Sequence, residues 1–131
     1  MYNGEDLNFL LNDFVTRVPH VTHVIAVSAD GLLVARDDAL PQEQGERLSA
    51  IASGLVSLLA GAARSLQADP VISNLTQTQE GFMFSMSAPG GASLLALSDK
   101  SCDIGQVGHE LATLINQVGD SLTSPARFGR G

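Results

Sequence analysis

The sequence is poor in cysteine, aromatic residues and positive charge, with one cysteine, no tryptophan and one tyrosine. A single cysteine excludes a disulfide framework and fits a reducing, cytoplasmic compartment. Seven lysine and arginine residues against 14 aspartate and glutamate residues give a net charge of −7. This charge repels nucleic acid phosphates and anionic lipids, and platforms for base stacking are missing. We therefore expect no nucleic acid partner, no direct membrane binding, and recruitment to membranes only through partner proteins.

Long apolar runs and a targeting segment are also missing from the pattern. No run approaches the roughly 20 apolar residues that span a bilayer, and the N-terminus lacks the basic and apolar regions of a signal peptide. The chain has 131 residues, of which 44% are hydrophobic, and this suffices for one domain with its own core. We expect that domain over residues 1–122 and a disordered tail over residues 123–131, where no periodic pattern continues.

Residues that could carry catalysis or bind a metal are few and scattered. The three histidines, His20, His23 and His109, have no carboxylate or cysteine at metal-ligand spacing. Cys102 precedes a predicted helix without any motif that marks a reactive nucleophile. The turn at residues 89–91 does not follow a phosphate-binding pattern. We therefore expect no enzymatic activity, no metal and no cofactor.

What is present is an alternation of helical and extended patterns. Periodicity and turn residues predict helix 5–18 capped by Asn3, strands 23–28 and 32–36, helix 41–67, strands 71–78, 82–87 and 92–98, and helix 103–122. The short connections between strands require antiparallel pairing, and strands that are apolar on both sides require cover on both faces. The order αββαβββα thus predicts an α/β (α+β) three-layer sandwich, with a five-stranded antiparallel sheet between helices.

The long second helix has two distinct sides. An apolar side that can cover the sheet is formed by Leu48, Ile51, Leu55, Leu58, Leu59, Ala62, Ala63 and Leu66. A second side carries small residues at positions i, i+4, i+7 and i+11, namely Ala50, Gly54, Ser57 and Gly61, with Ser65 nearby. Glycine inside a helix costs about 1 kcal/mol relative to alanine. Close approach of another backbone can offset this cost; the alternatives are packing under a loop of the same chain, or simple exposure.

The strand at residues 71–78 is more polar than its neighbours, which is typical of a sheet edge. Its free backbone groups could pair with the same strand of a second copy. A polar edge is equally well explained as protection against such pairing. If the edge pairs and the small-residue side of the helix also makes contact, the result is a two-fold dimer with one continuous sheet.

Three segments in this order resemble the Roadblock/dynein light chain domain family: VIAVSADGLLVAR at 24–36, SAIASGLVSLLAGAARSL at 49–66, and LLALSDKSCDIGQVGHELATLI at 94–115. The resemblance covers Leu7 to Leu122 and is strongest to actinobacterial roadblock proteins. Those proteins are encoded beside a sensor-kinase-like protein and a small Ras-like GTPase. The resemblance implies a Roadblock-like sandwich that homodimerises through the second helix and third strand. It also implies an adaptor or regulator of such a GTPase, by activation or scaffolding, with the sensor-kinase-like protein as a further partner.

The resemblance also assigns roles to particular positions. The implied dimer surface consists of Ala50, Gly54, Ser57, Leu58, Gly61, Ile72, Asn74 and Thr76. The outward residues Glu46, Ser53 and Arg64 are candidates for GTPase contact. We do not assign Arg64 as an arginine finger, because a lone arginine on a helix is usually a solvated charge.

Two other classes of function remain open from the sequence. A PAS- or profilin-like small-molecule sensor also has an antiparallel sheet with flanking helices, although helices this rich in leucine and alanine leave little room for a large void. A purely structural assembly subunit would lack a nucleotide-dependent partner. A copurifying ligand would favour the sensor, whereas binding to a GTP-loaded partner would favour the regulator.

Overall fold

The structure, a computed structural model, describes residues 4–123. Its elements are α1 (Gly4–Arg17), β1 (Val21–Val27), β2 (Leu33–Arg36), α2 (Gln42–Ser65), β3 (Ser73–Gln77), β4 (Gly81–Ser87), β5 (Ser93–Asp99) and α3 (Ile104–Thr123). The predicted order αββαβββα is confirmed, with shifts of a few residues at element ends. The predicted cap at Asn3 and residues 124–131 of the predicted tail lie outside the described residues.

The five strands form one antiparallel sheet in the order β2-β1-β5-β4-β3. The two central strands, β1 and β5, carry apolar side chains on both faces because helices cover both sides. The edges are β2 and β3, as predicted for the polar third strand. The predicted five-stranded antiparallel sheet between helices is therefore confirmed.

The two faces of the sheet have cores of unequal size. On one face, α1 and α3 bury large side chains against the sheet, among them Leu11, Phe14, Val24, Leu94, Leu111 and Val118. On the other face, the core under α2 consists, among the residues that the structure describes, of Ile25, Val27, Leu40, Ala52 and Leu95, with four half-buried neighbours. The α1/α3 face thus supplies most of the apolar burial that stabilises the domain, and α2 is held by less.

The sheet-facing side of α2 differs from the prediction. Its buried residues are the small ones Gly45, Ser49 and Ala52, whereas Leu58 and Leu66 are 76% exposed. Small residues let α2 lie close to the sheet: a Cβ at Gly45 would lie 3.1 Å from Leu33 Cδ2. Because α2 packs mainly on β1 and β2, its apolar arc is wider than the surface beneath it. The prediction that Ile51, Leu58, Ala62 and Leu66 cover the sheet is therefore wrong.

The length and composition of α2 also bear on the expectation that no apolar run approaches the length of a membrane span. Within the described part of the chain, α2 is the one helix long and apolar enough to cross a membrane by those two criteria. In the structure it lies against the sheet instead, with one side on β1 and β2. A single helix of this kind is weak evidence for a membrane span. Its apolar but exposed side requires a separate explanation.

Asp37 connects the end of β2 to β1 through its carboxylate and to the segment before α2 through its backbone carbonyl. Its Oδ1 accepts the Val24 backbone N–H at 2.8 Å, and its Oδ2 lies 2.9 Å from His23 Nδ1. Its backbone N–H donates to the Val24 carbonyl, and its own carbonyl accepts the Leu40 N–H. Only 2% of the Asp37 side chain is exposed, so these partners replace the water that the buried group has lost. Asp37 is thus a structural junction that the spacing of the sequence did not reveal.

Gly81, the first residue of β4, is required by close contact with β5. A Cβ at this position would collide with the Ser98 carbonyl oxygen, a backbone atom that cannot move aside easily. We expect Gly81→Ala to lower the free energy of unfolding by about 1–3 kcal/mol, the range of overpacking, as measured by urea denaturation. Gly108→Ala is the matched control, because a Cβ there meets nothing within 4 Å. An unchanged midpoint for Gly81→Ala would contradict the close contact.

Candidate functional site

Five residues form a ridge along the side of α2 that faces away from the sheet: Ala50, Gly54, Ser57, Leu58 and Gly61, hereafter the α2 ridge. All but the half-buried Gly61 are exposed. A Cβ at Gly54 would meet nothing within 4 Å, and one at Gly61 only the flexible Arg64 guanidinium at 3.9 Å. Within residues 4–123, no loop of the same chain packs on these glycines, so that explanation fails for the described part of the chain. Both are open to a second molecule.

Large apolar side chains border the α2 ridge. Leu58 is 76% exposed and Ile51 is 51% exposed. Each is one helical turn or less from Gly54, so the ridge combines open glycines with uncovered aliphatic carbon. On the sheet face that α2 covers, Met83 and Leu97 are only half-buried, so α2 shields this face in part. Contiguous exposed apolar surface of this kind marks protein–protein interaction sites.

The candidate residues of the third strand lie on the same face of the sheet as α2. Asn74 pairs with Ser85 and Thr76 with Met83, and Met83 in turn packs against the core under α2. The Thr76 hydroxyl donates to Asn74 Oδ1 at 3.0 Å. Ile72 is exposed and lies just before β3, not within it as predicted, although its carbonyl still accepts the Ser87 N–H at 2.9 Å. The structure thus brings the predicted residues of α2 and β3 to one side of the molecule.

The two sheet edges differ in their capacity to pair. Edge β2 has four residues, ends in Arg36, and shows a register irregularity in its pairing with β1. Edge β3 pairs with β4 without any shift over Ser73–Gln77, and it contains neither a charged residue nor a proline. Short length, charge and bulges are the devices that protect an edge from pairing. Of the two, β3 is the edge without charge and bulges, and with five residues it is one residue longer than β2.

The candidate contact residues Glu46, Ser53 and Arg64 lie along one flank of α2, hereafter the polar flank. Glu46 and Arg64 are exposed. Glu46 accepts the side-chain amide of Gln42 at 2.9 Å, and Gln42 accepts Arg36 Nε–H at 2.9 Å. Ser53 is only half-exposed, since it faces the β1–β2 turn, where its Oγ lies 2.8 Å from the position of a Cβ on Gly31. It is therefore less outward than expected.

The histidines and Cys102 make ordinary structural contacts. His20 Nδ1 lies 3.1 Å from Asp99 Oδ2, and the Ser98 hydroxyl donates to Cys102 Sγ at 3.2 Å. The pKa of the Asp99 carboxyl is lowered from its ordinary value, chiefly by the backbone N–H of Ser101 and then by His20. Within residues 4–123, no group of three or more His, Cys, Asp or Glu side chains could hold a metal ion.

Comparisons with known proteins agree with this geometry. The model of the Roadblock/LC7 domain matches residues 7–98. A Roadblock/LC7 domain from Streptomyces avermitilis has 28% identity and a TM-score of 0.82, over 88% of this chain and 96% of that one. A second structure from that organism has 31% identity and a TM-score of 0.70, over 85% and 96%.

Myxococcus xanthus MglB, at 14% identity, has a TM-score of 0.79 over 93% of this chain and 95% of that one, which shows a shared fold. Comparison with curated protein sequences found no match. The family match spans more than half of the chain, and its order of strands and helices is the one described above. This chain belongs to the Roadblock/LC7 domain family.

Proposed function

We propose that this protein is a homodimeric adaptor or regulator that binds a small Ras-like GTPase, by activating or scaffolding it. The observation that carries the proposal is the α2 ridge, where the exposed Gly54 and the half-buried Gly61 of a 24-residue helix both have open space for a Cβ beside exposed Leu58. Helical glycines lower stability unless another contact compensates. A second copy that packs on the ridge supplies that contact.

The proposed dimer uses the β3 edges and the α2 ridges together. Two β3 strands related by a two-fold axis would pair into one ten-stranded sheet, because antiparallel pairing of identical strands is self-complementary. The side chains of Asn74 and Thr76 lie on the α2 face of the sheet. A partner that pairs along β3 therefore brings its own α2 to the same face, so the edge contact and the ridge contact support one arrangement.

The GTPase link comes from the family to which the chain belongs, and the surface suits a protein partner. In the proposed dimer, the α2 ridges are occupied and the polar flanks remain outside. Each flank carries a carboxylate at Glu46 and a guanidinium at Arg64, both exposed. Charges of both signs at a rim give specificity and speed association more than they add affinity. A sensor-kinase-like protein and recruitment to membranes through partners are further parts of the proposal.

Binding to the GTPase encoded by a neighbouring gene tests the proposal. We expect the purified protein to retain that GTPase when it is loaded with a non-hydrolysable GTP analogue, and less of it when it is loaded with GDP. Charge reversal by Glu46→Arg or Arg64→Glu should weaken retention by about tenfold, or 1.4 kcal/mol. The control is the charge reversal Glu110→Arg, at an acidic residue of α3 that is paired with Arg17.

Two results would reject the GTPase proposal. One is a complex with neither nucleotide form, although the protein is a dimer by light scattering. The other is equal loss of binding for the Glu110→Arg control and for the polar-flank variants. The rate of GTP hydrolysis in the complex then separates activation, in which it rises, from scaffolding, in which it does not change.

A further inference from the structure

A cavity of about 170 Å³ lies between the polar flank of α2 and the turns of the sheet. Its lining includes the serines Ser28, Ser53, Ser57 and Ser93, together with Ala60 and Gly91. It adjoins a second, more open cavity that shares Ala60 and Gly91 and reaches Arg64 and Asp69. The first cavity has hydroxyl groups and aliphatic carbon on its walls, and none of its described lining residues is charged.

The hydroxyl of Ser93 is the unusual group in this cavity. Ser93 is 3% exposed, and its side chain makes no hydrogen bond with any other residue that the structure describes. Ser93 pairs with Val27 and Ser87 and lies on the α2 side of the sheet. A buried polar group without a partner loses free energy unless water or a ligand satisfies it.

The volume of the cavity limits the size of the molecule that can bind in it. One water molecule takes up about 30 Å³ of the liquid, so the cavity is several times larger than a single water requires. Drug-sized ligands occupy pockets of about 300–1,000 Å³, so a cavity of about 170 Å³ is too small for a ligand of that size. The absence of charge among its lining residues disfavours an ion, because an unpaired buried charge is costly.

We propose that this cavity is a binding site for a small uncharged molecule that both donates and accepts hydrogen bonds, of the size of a simple amide. Ser93 holds the ligand from the sheet, and Ser53 contacts it from α2. The cavity is complete within one protomer and needs no second copy, although Ser57 in its lining also belongs to the α2 ridge. Because one wall is α2 itself, occupancy would brace the helix that carries the α2 ridge.

Acetamide is the probe, titrated into the full-length protein while backbone amide resonances are followed by NMR. We expect saturable shifts at residues 53–57 and 91–93, with a dissociation constant in the millimolar range. Ser93→Ala should weaken binding at least about fivefold, as the loss of one hydrogen bond predicts. Ala60→Leu should abolish binding, because the added carbons fill the cavity.

Ser85→Ala is the matched control, because Ser85 is also 3% exposed on the same sheet but does not line this cavity. It should bind acetamide as the wild type does, and acetate should bind to none of the proteins. Shifts that never saturate would mean that water alone satisfies Ser93 and would overturn the proposal. Equal weakening by Ser85→Ala and Ser93→Ala, or equal binding of acetate, would overturn it as well.

Discussion

Gly54→Arg should convert the proposed dimer into a monomer in light scattering and sedimentation. A Cβ at Gly54 meets nothing within 4 Å in its own subunit, so the arginine fits the folded protomer without a clash. In the proposed dimer, the same position faces the backbone of the partner's α2, where a long charged side chain prevents close approach and is buried unpaired. We expect the dissociation constant to rise at least 100-fold, or about 2.7 kcal/mol. Gly61→Arg, two turns further along, should act in the same way.

The controls separate a broken interface from a broken fold. Gly108→Arg places the same side chain on α3, where a Cβ also meets nothing within 4 Å, and this variant should remain dimeric. The circular dichroism spectrum of Gly54→Arg should match that of the wild type. A wild-type protein that is monomeric at micromolar concentration, or a Gly54→Arg variant that stays dimeric, would remove the dimer from the proposal.

Asp37→Ala should be among the most destabilising single substitutions in the core. The change leaves the buried N–H of Val24 without its acceptor and His23 without its partner. An unsatisfied buried group costs about 1–3 kcal/mol, and the two losses act on the same junction of β1 and β2. We expect the free energy of unfolding to fall by about 3 kcal/mol, measured from the midpoint of urea denaturation.

The neighbouring acid provides the matched control for this junction. Asp38 is exposed, and its backbone N–H, not its carboxylate, makes a hydrogen bond by donating to Asn12 Oδ1 at 2.7 Å. Asp38→Ala keeps this backbone group and therefore removes no buried partner. Its effect should stay within about 0.5 kcal/mol, as for ordinary surface positions. Similar unfolding midpoints for the two variants would show that Asp37 contributes no more than a surface charge.

Local patterns in the sequence were sufficient for the elements and their order. Pro19 and Pro70 limit helices, the Asp30–Gly31 pair lies in the β1–β2 turn, and runs of consecutive apolar residues indicate strands with two covered faces. These signals depend on near neighbours along the chain, so they can be recognised without knowledge of the tertiary structure. The small-residue side of α2 was visible for the same reason, because helical spacing alone defines it.

Signals that depend on distant partners were missed or misjudged. The pairing of His23 with Asp37, 14 residues apart, joins the ends of two strands, and neither residue belongs to a recognisable motif. The unpartnered Ser93 hydroxyl and its cavity depend on how α2 lies over the β4–β5 turn. The covering side of α2 was misjudged because hydrophobicity reports which residues avoid water, not which of them the sheet can reach.

The sequence by itself determined the sandwich of helices and sheet and the row of small residues on α2, because both follow from local periodicity and turn chemistry, and its resemblance to known domains pointed to the family. Only the tertiary structure decided which side of α2 is buried, which edge strand lacks protection, and that Gly54 and Gly61 are uncovered. The physical reason is that burial depends on how the elements pack against each other. Where α2 lies across β1 and β2, the two strands bury a narrower arc of the helix than the arc over which its apolar residues are spread.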